Sequence, residues 1–116
     1  MTNANEHYGS HNGSEHIYTV RPFPIAFTQG VKDMIENCAA YWLIDIIISF
    51  QTKKAINRER FQVWELKRYK KDAFYLDATN GNNIHLGNQY IPFSDFPFDK
   101  ATIWLVNDTL LLPHEY

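Results

Sequence analysis

Cysteine is nearly missing from this chain: Cys38 stands alone among 116 residues. A lone thiol closes no internal disulfide and has no second Cys at zinc-ligand spacing, which argues against a disulfide-stapled secreted fold and for a reducing, cytoplasmic setting. Long apolar runs are lacking too. Crossing a bilayer takes about 20 apolar residues, and the best candidate, AAYWLIDIIISF over residues 39–50, is interrupted by Asp45. No membrane association is expected. The first residues, MTNANEHYGSHNGSEH, have no basic start followed by an apolar stretch, so they do not read as a secretory signal. Catalytic signatures are missing as well: there is no Gly-rich phosphate loop, no G-x-S-x-G, no H-E-x-x-H and no paired zinc ligands. No cofactor and no metal are expected.

What the chain does have is large apolar volume. Eight Phe, seven Tyr and three Trp lie within a 45% hydrophobic composition, enough for one core and too little chain for two domains. Residues 1–16 contain no aliphatic side chain larger than Ala after Met1 and read as a flexible polar tail. Residues 17–116 read as a single α+β domain. Its first segment, IYTVRPFPIAF, carries two prolines and is expected to lie extended along the edge of the core rather than in a regular ladder. Thr28 is placed to cap a helix whose Val31, Met34, Ile35 and Cys38 share one face. After a break at residues 37–40, a second helix is expected to be apolar around nearly its whole circumference, and hence central and buried. Beyond a basic loop, FQVWELKRY, KDAFYLDA, the segment after Asn80-Gly81, and the two arms around Asn107-Asp108 read as strands. The expected architecture is an N-terminal helix pair packed on a five-stranded antiparallel meander.

Several residues could carry function. Asp45 stands in the most apolar part of the chain. A carboxylate in such a run must be paired, protonated, hydrogen-bonded or facing an opening, so Asp45 is read either as capping a neighbouring backbone segment or pairing with an arginine such as Arg21 or Arg60, or as a weak catalytic candidate helped by Tyr41. His7, His11 and His16 lie in a Gly- and Asn-rich segment unsuited to a designed metal site. Charge is concentrated in the middle: residues 53–71 hold eight basic and two acidic side chains, whereas residues 72–116 hold one basic and six acidic. Lys67, Arg68, Lys70 and Lys71 are therefore candidate binding residues for phosphate or an acidic surface. The loop PFSDFPFD offers Asp95, Phe96, Phe98 and Asp99 as a hydrophobic contact surface for a partner.

Five stretches in order, namely T-x-G-V, AYWLID, F-Q-x-W-x-L, F-x-D-F-P and LLP-x-EY, resemble an uncharacterised family of small bacterial, plasmid and phage-encoded domains of unknown function. The resemblance covers about residues 27–116 and implies a mobile-DNA context with no established activity. It places Asp45 in a recurring block and matches Asp95, Pro97, Pro113, Glu115 and Tyr116 to motif positions. Three functions follow as expectations. The first is a non-catalytic protein-binding module, an inhibitor of a host defence complex in the manner of an anti-CRISPR. The second is an enzyme using Asp45 in an aromatic pocket. The third is nucleic-acid binding through segment 53–71.

Overall fold

A computed structural model describes residues 3–7, 17–20 and 25–116, with the side chains of His7 and Val20 left aside. His11, His16 and Arg21 lie outside the described residues, as does most of the segment read as a tail. The described elements run α1 (Ala4–His7), β1 (Ile17–Val20), β2 (Ile25–Thr28), α2 (Gln29–Asn37), α3 (Tyr41–Phe50), α4 (Lys54–Asn57), β3 (Phe61–Arg68), β4 (Phe74–Thr79), β5 (His85–Ile91), β6 (Lys100–Val106) and β7 (Thr109–Leu111). A short 3-10 turn follows at Pro113–Glu115.

The mixed α+β class is as the sequence indicated, but the sheet is not a five-stranded meander. Seven strands lie in the order β1-β2-β7-β6-β3-β4-β5. The segment with two prolines contributes two of them: β1 and β2 form an antiparallel pair, and β2 lies parallel to β7 through Ala26 and Phe27. β6 returns past β4 to pair with β3. The connection at residues 92–99 must therefore cross three strand spacings, about 14 Å, over one end of the sheet. Its composition suits that path. Phe96 turns inward and is 1% exposed, edge-on to Phe74 and Trp42 at 6.0 and 6.5 Å, so the loop closes the end of the core.

Alternation along the strands separates two faces. Gln62, Trp64 and Leu66 of β3, Phe74, Leu76 and Ala78 of β4, and Ala101, Ile103 and Leu105 of β6 all point inward and are buried. Helices α2 and α3 supply the other half of this core. Val31, Met34 and Ile35 of α2 are fully buried and Cys38 nearly so, the face that their spacing indicated. The break between the helices is sharp because Ala39 takes a left-handed conformation at φ 51°, which lets the Ala40 N–H reach back to the Ile35 carbonyl. The α3 helix corrects the sequence reading. Leu43, Ile44, Ile47, Ile48 and Phe50 are buried, but Tyr41, Asp45 and Ser49, four residues apart, form a narrow exposed stripe. One polar stripe is what a surface helix needs.

The turns also differ in detail. Asn107 and Asp108 both have positive φ, 48° and 66°, and make the tight two-residue turn expected there. The hairpin at Asn80-Gly81 is longer: Thr79 pairs with His85, and the Asn80 N–H donates to the Ile84 carbonyl at 3.1 Å. The Asn80 side chain accepts from the Asn82 and Ile84 N–H groups, which stabilises this wider loop.

The two ends of the described chain are tied in by side chains. Asn5 donates to the Thr102 carbonyl at 2.7 Å and accepts from the Thr102 N–H at 2.5 Å, on the part of β6 that β7 does not reach. Glu115 does the corresponding work at α2. Its carboxylate accepts from the Thr28 hydroxyl (2.7 Å), the Gly30 N–H (3.2 Å) and the Leu112 N–H (3.0 Å), placing negative charge at the positive end of the helix. Gly30 is required by this arrangement, since a Cβ there would stand 2.6 Å from Glu115 Oε1. Gly30→Ala is expected to push the carboxylate out of its cap and cost about 1–2 kcal/mol, even though Ala is the better helix former. In a Glu115→Ala background the same change should be neutral or stabilising; equal loss in both backgrounds would refute the clash.

Candidate functional site

The strand register gathers chemistry at the end of the sheet where β3 finishes and β4 begins. Lys67 on β3 stands opposite Lys100 on β6 and Tyr75 on β4, and Tyr75 stands opposite Tyr90 on β5. Lys100, Lys67, Tyr75 and Tyr90 thus form one rung across four strands of the outer face. Tyr69, in the β3–β4 turn, folds over it with its ring 5.3 Å from Tyr75 and 6.5 Å from Tyr90, and Tyr75 and Tyr90 are 5.0 Å apart. The hydroxyl-bearing rings remain open to solvent: Tyr69 is 57% and Tyr90 43% exposed. A cleft of about 380 Å³ runs beside the cluster, lined by Lys67, Arg68, Tyr69, Lys70, Asp99 and Lys100.

The cations here differ in what holds them. Lys100 lies 3.5 Å from Glu65, one rung further along the sheet, and Lys70 sits 5.4 Å over the Tyr69 ring. Among the described residues, no carboxylate lies within ion-pair distance of Lys67, Lys70 or Lys71. Two lysines directly opposite on one sheet face repel, which favours an anion between them. Arg68 is engaged differently. At the end of β3 it turns to the inner side, donates from Nε to Asp99 at 2.8 Å, and from its other nitrogens to the Phe96 carbonyl (2.9 Å), the Phe98 carbonyl (3.2 Å) and the Lys71 carbonyl. Its guanidinium also covers the Phe74 ring at 4.6 Å. Arg68 clamps the crossing loop.

The candidates from the sequence therefore meet in one region and divide by role. Lys67, Lys70 and Lys71 are exposed, Arg68 and Asp99 form the clamp, Asp95 is exposed on the crossing loop, Phe98 is half-buried and Phe96 is core. Phe93, which the sequence reading passed over, is the exposed ring of that loop at 73%. Tyr75, Tyr90 and Lys100 were also missed. The outward phase of FYLDAT would have marked Tyr75, but only the register brings it beside Tyr90 and the lysines. The basic block does not form one patch. Arg60 lies at the opposite end of β3, about 23 Å from Lys67 along the extended strand, and Lys53, Lys54 and Arg58 precede it in and around α4. There Arg58 and Arg60 line a separate cleft with Asn57, Gln51, Ile25 and Asp108.

Asp45 is overturned as a buried carboxylate. It is exposed on α3, and the Tyr41 hydroxyl offered as its partner donates instead to Glu36 at 3.3 Å. Partial desolvation and the Glu36 carboxylate raise the Tyr41 pKa, while the hydrogen bond to Glu36 at 2.6 Å does the same for Lys32. Neither the cleft beside the tyrosine cluster nor the one at Arg58 and Arg60 includes Asp45. Among the described residues no three His, Cys, Asp or Glu side chains converge as metal ligands, and no helix is long and apolar enough to cross a membrane.

A mixed seven-stranded sheet, with helices α2 and α3 against one face and a tyrosine–lysine rung open on the other, defines a small α+β domain. The chain belongs to a family of unknown function, DUF6876, whose family model matches residues 2–116. The match begins well before the motif resemblance and takes in Asn5, which binds β6. No curated protein and no solved structure matches the chain.

Proposed function

We propose that this domain acts by binding, without catalysis of its own, and that the Lys100–Lys67–Tyr75–Tyr90 rung with Tyr69 and Lys70 is the surface that meets an anionic macromolecular partner. The observation that carries this reading is the rung itself: two cations and two tyrosines in one cross-strand row, in a protein whose net charge is −2. Local cations on a protein without overall positive charge favour a defined docking site over general attraction to anything acidic. The protein partner expected from the SDFPFD loop loses part of its surface, because Phe96 is core and Phe98 is half-buried. An acidic protein, including a component of a host defence complex, is one form of anionic partner. A nucleic acid is the other.

Heparin serves as a general polyanion to test the surface. The wild type is expected to elute at higher salt than a Lys67→Ala/Lys70→Ala/Lys71→Ala variant, whereas Lys53→Ala/Lys54→Ala/Arg58→Ala, with the same change in charge at the other end of the sheet, should shift far less. Equal shifts for the two triple variants, each shown folded by circular dichroism, would overturn the assignment.

A further inference from the structure

The geometry points to single-stranded nucleic acid as the ligand of this surface, an inference that rests on the binding reading above and specifies its partner. Duplex DNA or RNA presents phosphates outward and keeps its bases stacked, so a protein meeting only phosphates needs cations and gains nothing from open aromatic rings. This surface has both. Tyr69 and Tyr90 are both exposed, with ring centroids 6.5 Å apart, and Tyr75 stands beside both at 5.3 and 5.0 Å. Lys67 borders Tyr75 in the same rung, and Lys70 stands over Tyr69. Unpaired bases can lie on such rings while the phosphates linking them meet the neighbouring ammonium groups, and the stacking tolerates any base because every base has a π-face.

The surroundings define where the strand runs. One rung further along the outer face, Glu65 and Asp77 stand opposite each other on β3 and β4, with Thr102 and Asn88 flanking them. Those carboxylates repel phosphate, so the strand is confined to the end of the sheet. Asp99 does not oppose it at close range, because the Arg68 guanidinium already pairs with its carboxylate at 2.8 Å. The footprint is short, a few nucleotides along the rung from Lys100 to Tyr90, and the exposed Phe93 lies just beyond the end of β5. An acidic peptide fits this surface less well, since it supplies carboxylates for the lysines but nothing to occupy the tyrosine faces.

The test is fluorescence anisotropy with a short fluorescein-labelled oligothymidylate, an oligouridylate, a duplex of the same length and an oligoglutamate, across a salt series. The single strands are expected to bind more tightly than the duplex or oligoglutamate. Tyr69→Ala and Tyr90→Ala should each weaken single-strand binding about tenfold, with Tyr90→Phe close to wild type because the ring and not the hydroxyl is used. Lys67→Ala/Lys70→Ala should lower the slope of log affinity against log salt by about 1.4, the effect of two lost phosphate contacts on a single strand. Equal binding of single strand and duplex with no effect of the tyrosine variants would overturn the inference, as would preference for oligoglutamate or no oligonucleotide binding. Heparin retention separates the two levels. If it still depends on Lys67, Lys70 and Lys71 in that event, the ligand is wrongly assigned and the binding surface stands; if it does not, both fall.

Discussion

Gln62→Leu is expected to destabilise the domain by about 3 kcal/mol, seen as a lower urea midpoint with little change in slope and a melting temperature down by about 10 °C. The substitution keeps the side chain's approximate size and raises its hydrophobicity, at a position that is fully buried. A count of apolar contacts would therefore predict a gain. The hydrogen bonds say otherwise. The Gln62 carbonyl accepts from Trp64 Nε1 at 3.0 Å and from the Gln51 amide at 2.9 Å, while its own two amide hydrogens are shared among the Gln51 side-chain carbonyl and the Ile56 and Glu59 carbonyls at 2.9, 3.0 and 3.1 Å. Leucine satisfies none of them. It would leave the Trp64 N–H and the carbonyls without partners where water cannot replace them, each at about 1–3 kcal/mol, against a partial return from leucine's burial. A loss below about 1 kcal/mol would mean that the segment from Gln51 to Glu59 holds its shape without this side chain.

Arg68→Ala is the second large effect, about 2–3 kcal/mol. Three carbonyls and the Asp99 carboxylate share this one guanidinium, and the Phe74 ring loses its cover. Arg68→Lys should lose nearly as much, because one ammonium on a flexible stem cannot span acceptors on both sides of the clamp. The distinctive readout is local: amide exchange should speed up across residues 92–99 before the rest of the sheet opens. Uniform acceleration would show that the crossing loop is held chiefly by Phe96 and not by the clamp. Because this residue shapes the cleft from behind, its variants report on stability and are unsuited to assigning ligand contacts.

Some of this was legible from residue order alone. Thr28 announced α2, the spacing of Val31, Met34, Ile35 and Cys38 fixed its buried face, and Asn107-Asp108 marked a tight turn, because caps, helical periodicity and positive φ are local constraints. The order of strands was not legible. Nothing local in KATIWLV says whether it joins β5 or β3, and pairing with β3 depends on the crossing loop finding an inner pocket for Phe96. Asp45 was misread for a related reason: the four-residue spacing of Tyr41, Asp45 and Ser49 on one helical face was visible, but the bulky apolar neighbours led that face to be read as buried when it is the exposed stripe. The candidate surface was half visible. Lys67 and Lys70 stood out as charge, while Tyr75 and Tyr90 belonged to other strands and became neighbours only through register.

The parallel contact of β2 with β7 bears on how the chain is made. Apart from its hairpin partner β1, β2 pairs only with a strand near the far end of the sequence, and the Ala26 N–H waits for the Asp108 carbonyl. A ribosome releases the early strands long before their neighbour exists, so for that interval the β1–β2 edge presents unpaired backbone groups in the crowded cell. Completion of this sheet must wait until β7 has been made, and pairing strands so far apart in sequence slows folding.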